Sequence, residues 1–230
     1  MAACGDHAPR VIEIGPGRGA LTRHLLARTS ELHAVELDGE LATMLAAQFA
    51  DDSRVHIHHA DVLDADLTAW GPAVIAGNLP YYITSPIIDR FLDLPADVAA
   101  AVFLVQLEVA ERLRAKPHTR DYGFLTVKTQ LHCEVELVAK VPRGAFSPPP
   151  KVDSAAVRLV RKRDVPAPAP RLIEFVGWCF AHKRKNLRNN LRPYFTRERL
   201  GALPEAQLRA EQIAVEEFLP LLERLQGTAL

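Results

Sequence analysis

Short apolar runs alternate with stretches of helical periodicity through the first two-thirds of the chain, and this alternation constrains the fold more than any other feature. Residues 11–14, Val-Ile-Glu-Ile, read as a strand, and residues 20–27 as a helix with Leu21, Leu25 and Leu26 on one face. Residues 32–35 and 41–49 repeat that pair, residues 55–59 alternate as a third strand, and residues 73–76 form a fourth that ends in Gly77-Asn78. Ser85-Pro86 opens a helix running through Leu94, with proline in its first turn. A long apolar fifth strand at residues 98–106 is followed by helical pattern at 108–115 and 124–133. Strands alternating with helices build βαβ units, so an α/β fold with a mainly parallel sheet is expected. Residues 135–141 and 155–160 are two more strands, joined by a proline-rich connection through Phe146-Ser147-Pro148-Pro149-Pro150 rather than by a helix. That pairing predicts an antiparallel hairpin at one edge.

Val165-Pro166-Ala167-Pro168-Ala169-Pro170 reads as a linker, because proline blocks both a helix and a strand ladder. After it the pattern is helical to the end. The expected organisation is therefore a first domain over residues 1–165 and a small all-helical domain over 166–230. With 230 residues and 48% hydrophobic content, the chain has enough apolar mass for one sizeable core and an appended subdomain. No apolar run reaches the ~18 residues of a membrane span, and no basic region followed by an apolar stretch marks a secretory signal at the start. Cys4, Cys133 and Cys179 are odd in number and far apart, which fits a reducing cytoplasm, and Cys133 and Cys179 read as small core residues.

The loop Glu13-Ile14-Gly15-Pro16-Gly17-Arg18-Gly19 lies between the first strand and the first helix. Gly15 and Gly17 let the backbone approach a ligand closely, although a loop of this kind is also met as a plain tight turn. Glu13 would repel a pyrophosphate but suits a cation, and S-adenosylmethionine carries both a sulfonium and an ammonium group. Glu36 ends the second strand, where a carboxylate accepts from both hydroxyls of a ribose. Asp61 follows the third strand, placed to accept from an adenine amino group while the Val62 backbone donates. Each acidic residue taken alone is more often a solvated loop charge. Three at the carboxyl ends of successive strands point to a ligand, because open α/β sheets bind there.

The fourth strand runs into Asn78-Leu79-Pro80-Tyr81. The Asn78 side-chain carbonyl and a backbone carbonyl of the proline-braced turn can accept both hydrogens of an exocyclic amino group. The nitrogen lone pair is then aimed at the methyl donor. Tyr81 offers a face on which a flipped-out base stacks. Since sulfonium is a good leaving group, positioning dominates the catalysis.

With these stretches in view, the sequence resembles the ribosomal RNA adenine N6-dimethyltransferases, from about residue 11 to the end. The resemblance rests on Val11 to Gly17, on Val35-Glu36-Leu37-Asp38, on Asp61, and on Gly77 to Tyr81. Gln106-Leu107-Glu108-Val109, residues 145–154 and Arg184-Lys185-Asn186-Leu187-Arg188-Asn189 complete it. It implies a Rossmann-like class I methyltransferase sheet with a small all-helical C-terminal domain. It also implies cofactor contacts at Gly15, Gly17, Glu36, Leu37, Asp61, Val62 and Asn78, and target-base contacts at Asn78, Leu79, Pro80, Tyr81 and Phe146. The stretch Pro150-Lys151-Val152-Asp153-Ser154 and the late basic motif favour the small-subunit branch. The implied substrate is a pair of adjacent adenines in a hairpin near the 3′ end of 16S rRNA, two methyl groups going to each, on an immature 30S subunit and by a monomer. Two departures stand out: the basic, cofactor-covering segment usual before the first strand is absent from these residues, and Tyr82 stands where the family more often has asparagine.

Net charge is zero but unevenly spread. Residues 31–66 hold nine acidic residues against Arg54, and residues 182–199 hold seven basic residues against Glu198. The basic stretch is either a solvated face or a contact for a polyanion. It is expected to be a helix from His182 to Arg192, with Leu187 and Leu191 packed inward and Lys183, Arg184, Lys185, Arg188 and Arg192 free for phosphate. Arg158, Arg161, Lys162 and Arg163 are expected to extend that surface. His56, His58 and His59 lie in an alternating strand with no matching ligand cluster elsewhere in the sequence, so no metal is expected. Two other readings remain open: adenine methylation of the large subunit, conferring macrolide resistance, and a non-catalytic ribosome-assembly or RNA-binding factor. A methyl-transfer assay on the two purified subunits separates the first, and cofactor titration the second.

Overall fold

A computed structural model describes residues 8–162 and 168–227 of the protein. Contacts divide the chain into two compact units. One comprises the residues up to Ala110 together with Glu134–Arg161, and the other Glu111–Cys133 together with Lys162 onward. The boundary expected near residue 165 lies outside the described residues, and the second unit also takes in residues 111–133, which the sequence pattern left with the first.

The first unit is a seven-stranded sheet of order β3-β2-β1-β4-β5-β7-β6. Its strands are β1 (Ala8–Ile14), β2 (Thr29–Glu36), β3 (Val55–His59), β4 (Ala73–Asn78), β5 (Val98–Gln106), β6 (Cys133–Val141) and β7 (Ser154–Arg161). The pairings among β1 to β5 are parallel, whereas β7 runs antiparallel to β5, with β6 beside it at the edge. The central strand β1 is covered on both faces: Val11, Ile12 and Ile14 are all buried, as parallel strands flanked by helices demand. Burying each such side chain contributes roughly 1.5–3 kcal/mol. The first helix is shorter than its periodicity suggested. Only Thr22–Leu25 (α1) is α-helical, and Leu26–Arg28 tightens into a 3-10 turn before β2. Helices α2 (Gly39–Gln48) and α3 (Thr84–Asp93) follow β2 and β4, and α4 (Leu107–Leu113) follows β5.

Arg161, expected to join the basic surface, is instead a clamp inside the first unit. Its guanidinium donates to the carbonyls of Phe91, Leu94 and Val98 and lies 4.9 Å over the Phe91 ring. Arg158 pairs with Glu136 at 3.7 Å. Arg163 lies outside the described residues, as does Cys4.

The second unit contains α5 (Phe124–His132), α6 (Pro170–Phe180), α7 (Leu187–Leu191), α8 (Arg197–Gly201) and α9 (Phe218–Gln226). Its core gathers Tyr122, Val127, Phe175, Cys179, Leu187, Leu191, Phe218 and Leu221. The Tyr122 hydroxyl donates to the Ile213 carbonyl at 2.8 Å, which fixes residues 111–133 onto this core. The expected helix from His182 to Arg192 is corrected: residues 182–186 form a turn, and only Leu187–Leu191 is helical. Asn186 causes the break by capping the helix, its side chain accepting from Asn189 N at 3.0 Å. The turn itself is gathered by the buried Asn190 amide, which donates to the carbonyls of Cys179 and His182 at 2.7 and 3.2 Å.

Candidate active site

Strand order reverses at the β1–β4 boundary, since the chain builds outward from β1 to β3 and then returns to add β4 and β5 on the other side. A crevice for a ligand opens at the carboxyl ends of the strands flanking such a reversal. The register pairs Ile14 with Gly77, so the glycine loop after β1 and Asn78 at the end of β4 emerge side by side. Gly77 is required for that closeness: a Cβ there would stand 2.9 Å from the Ile14 carbonyl oxygen.

Within the loop, Gly15 and Gly17 have φ of 63° and 58°, a left-handed conformation that glycine adopts without strain. Nothing lies within 4 Å of where their Cβ atoms would be, so the backbone faces space that a ligand can fill. Glu36 is buried at the end of β2 and ties this loop to the next helix. Its two oxygens accept from Gly17 N and Asp38 N, both at 3.0 Å. Asp38 in turn caps α2 by accepting from Glu40 N and Leu41 N. Glu13 is buried beneath the loop and accepts from the Thr22 hydroxyl at 2.7 Å. Burial pushes the Glu13 carboxyl up to about 7, with the neighbouring Glu36 charge adding to the effect. Two carboxylates beside a glycine loop disfavour a phosphate and favour a cation.

Beyond β3, the Asp61 side chain accepts from Leu63 N at 2.8 Å, and Val62 is buried. Leu37 is exposed next to Glu36, an apolar side chain presented at the same sheet edge. The structure thus brings Glu13, Gly15, Gly17, Glu36, Leu37, Asp61, Val62 and Asn78 to one edge of one sheet.

In the turn after β4, Asn78 is exposed and Leu79 buried, so the chain is anchored by the residue after the polar one. Leu79 N donates to the Leu104 carbonyl at 3.1 Å. The Pro80 carbonyl accepts from Ile83 N and from the Thr84 hydroxyl. The Tyr81 hydroxyl shares a 2.8 Å hydrogen bond with Ser154 Oγ, which is fully buried at the start of β7. Ser154, Thr22 and Asp38 are supports that the reading of roles along the sequence did not single out. Ser154 stood inside a recognised motif, but nothing in its spacing ties it to a tyrosine so far away. Tyr82 is 81% exposed beside this turn. Phe146 is half-buried after the 3-10 turn Arg143–Ala145, on the β6–β7 connection whose other end is Ser154. Lys183, Arg184, Lys185 and Arg192 are exposed and Arg188 half-buried, all in the second unit.

A Rossmann-like sheet of this order, with a glycine loop at its reversal point and carboxylates ending the adjacent strands, defines an S-adenosylmethionine-dependent methyltransferase. The chain belongs to the ribosomal RNA adenine dimethylase family, which it matches over residues 7–226. It is 41% identical to a ribosomal RNA small subunit methyltransferase A from Nostoc punctiforme, over 96% of this chain and 85% of the other. A dimethyladenosine transferase from Plasmodium falciparum superimposes with a TM-score of 0.84 at 25% identity, covering 99% of this chain and 93% of that one. The 23S rRNA methyltransferase ErmE superimposes with a TM-score of 0.70 at 34% identity, covering 98% and 95%.

Proposed function

We propose that this enzyme dimethylates N6 of two adjacent adenines in a hairpin near the 3′ end of 16S rRNA, acting as a monomer on immature 30S subunits in the cytoplasm. The observation that carries the reading is the Asn78–Tyr81 turn, set by the Ile14–Gly77 pairing directly beside the glycine loop. The choice of subunit is supported by the relative named for the small subunit, at higher identity than the 23S enzyme.

When bound, S-adenosylmethionine supplies an activated methyl group whose sulfur leaves as a neutral thioether. Glu36 would accept from the ribose hydroxyls while keeping its two backbone donors, Asp61 and Val62 would hold the adenine ring, and Leu37 would supply apolar contact to it. Glu13 and the loop backbone at Gly15 and Gly17 would hold the cationic end. For the target base, Asn78 Oδ1 accepts one N6 hydrogen. The Pro80 carbonyl is already engaged by Ile83 and Thr84, so the second acceptor assigned to the base is the Leu79 carbonyl. Held between two acceptors, the amino nitrogen would keep its lone pair out of the ring and free for the methyl group that the cofactor would supply. Tyr81, fixed through Ser154, stacks on the base, and Phe146 covers it from the β6–β7 connection. The proton released from N6 passes to water.

The test is transfer of labelled methyl groups to purified subunits that lack these modifications. Label at adenine N6 in the 30S subunit is expected. Label confined to the 50S subunit would move the assignment to the large subunit. Cofactor binding without transfer to either would favour a non-catalytic assembly factor.

A further inference from the structure

At the opposite edge of the same sheet, parallel pairing brings together residues far apart in sequence. Glu31 is the third residue of β2 and His33 the fifth, and the register pairs His33 with His56 of β3. Glu31, His33 and His56 each offer a ligand atom, and the three atoms lie within 4.8 Å of one another. Glu31 Oε1 is 3.0 Å from His33 Nε2 and 3.7 Å from His56 Nε2. Tetrahedral zinc with bonds of about 2.1 Å separates its ligand atoms by about 3.4 Å, a value these two distances bracket.

We propose that Glu31, His33 and His56 form a zinc site, with water as the fourth ligand, that clips the edge strand β3 to β2. The surroundings are those of a supported ligand set. Arg10 occupies only the other Glu31 oxygen, Oε2, at 2.6 Å and 2.8 Å, so it orients the carboxylate and leaves Oε1 for the ion. His58 Nε2 is 3.0 Å from His33 Nδ1. In the free protein a carboxylate can only accept, so His33 Nε2 donates to Glu31 and Nδ1 accepts from His58. Metal at Nε2 reverses the pair: His33 Nδ1 then donates to His58, and the His33–His58 hydrogen bond is kept. Trp70 stacks on His33 and His58 with ring centroids 4.5 and 4.4 Å away, which covers the inner ligand. The outer side is open: a groove lined by Pro9, Ser30, Ser53 and Pro72, and by Arg10 and Arg54, which are paired with Glu31 and Asp52, reaches Glu31 and His56 and provides an entry path. His56, with 44% of its side chain exposed, has room to turn onto the ion, whereas His33 is 7% exposed and held in place.

The site is separate from methyl transfer. Arg10 on β1 and Gly15 just past its end are five residues apart, about 16 Å of extended chain. Its effect is on the sheet. Among the described residues β3 is paired on one side only, and it leads into Asp61 at its other end. An ion bound only by the folded sheet stabilises it by mass action.

The test uses tag-free protein stripped with a chelator, then titrated with cobalt(II) followed optically and with zinc followed by calorimetry and thermal melting. One equivalent of each metal is expected, with tetrahedral cobalt absorption and a melting temperature that rises with zinc. His56→Gln, a half-exposed change, and Glu31→Gln should each weaken zinc binding at least tenfold. His59→Gln serves as the control, because that ring turns to the other face of β3 and meets the Leu37 carbonyl. Failure to bind zinc below millimolar concentration, or wild-type affinity in His56→Gln, would overturn the proposal.

Discussion

Glu13 is the residue whose environment sets a pH dependence. Its carboxyl titrates near 7 in the folded protein against an ordinary value of 4.5, so the native state binds the extra proton between those values. That contribution to stability, on the order of 3 kcal/mol, is full below pH 4.5 and is lost as pH rises through 7. The same ionisation favours a sulfonium ligand, so cofactor affinity should increase as pH rises through 7. Glu13→Gln should flatten the increase, which calorimetric titration between pH 6 and 8 would read, and a wild-type pH profile in the variant would remove Glu13 from the site. Asn78 acts on the base instead. Asn78→Ala is expected to lower methyl transfer by at least about a hundredfold with unchanged melting, because a misaimed lone pair loses the benefit of proximity; turnover within tenfold of wild type would show that another group orients the base. Tyr81 combines a ring face with the hydroxyl bond to Ser154. Tyr81→Phe keeps the face and leaves Ser154 short of one partner, so a loss of only a few-fold is expected, whereas Tyr81→Ala should lose most activity. Equal rates in the two variants would count against stacking.

Elements differ in how plainly their sequences announce them. β3 and β5 have the bounds their alternation and apolar run suggested, and the strand ends carrying Glu36 and Asn78 were legible because a parallel sheet puts all its carboxyl ends at one edge. Contacts made by register or by distant packing were not. Nothing in the spacing of His33 and His56 reveals that they are paired, and Tyr122 finds the Ile213 carbonyl only in three dimensions. The basic stretch departs from the expected helix for a local reason: lysine and arginine favour helix, but Asn186 offers a cap and the helix begins only there. The resulting turn is closed by Lys185 N donating to the His182 carbonyl and is tied to the helices on either side by the buried Asn190 amide. Asn190→Ala would take from the Cys179 carbonyl its 2.7 Å amide donor and leave the His182 carbonyl to Lys185 N alone, at a cost of about 1–3 kcal/mol. A clear drop in melting temperature and faster amide exchange at residues 183–185 are expected; unchanged melting would mean that the turn is held by other contacts.

At the scale of the whole molecule, a net charge of zero conceals a division of labour. The candidate cofactor residues all belong to the first unit, and the basic turn with its short helix belongs to the second. A neutral protein that meets a polyanion needs a local concentration of cations, and residues 182–199 supply seven against one acidic residue. Lys183 already donates to the Arg120 carbonyl at 2.9 Å, so the sharper probe is Arg184, Lys185 and Arg188 replaced together by alanine. Removing one phosphate-binding cation lowers the slope of log affinity against log salt by roughly 0.7–0.9, so the triple variant should flatten the salt dependence of subunit binding by about two units. Affinity should fall most at low salt, where counterion release contributes most. Cofactor affinity should not change, because none of the three residues belongs to the unit that carries the glycine loop. Arg188 is half-buried, and a long basic side chain can contribute packing as well as charge, so thermal melting is measured first, and Arg184 with Lys185 alone serves as the variant if the triple melts early. A solvated surface predicts no change in affinity or slope. If a variant that melts normally binds 30S subunits with the wild-type salt slope, the turn does not dock RNA.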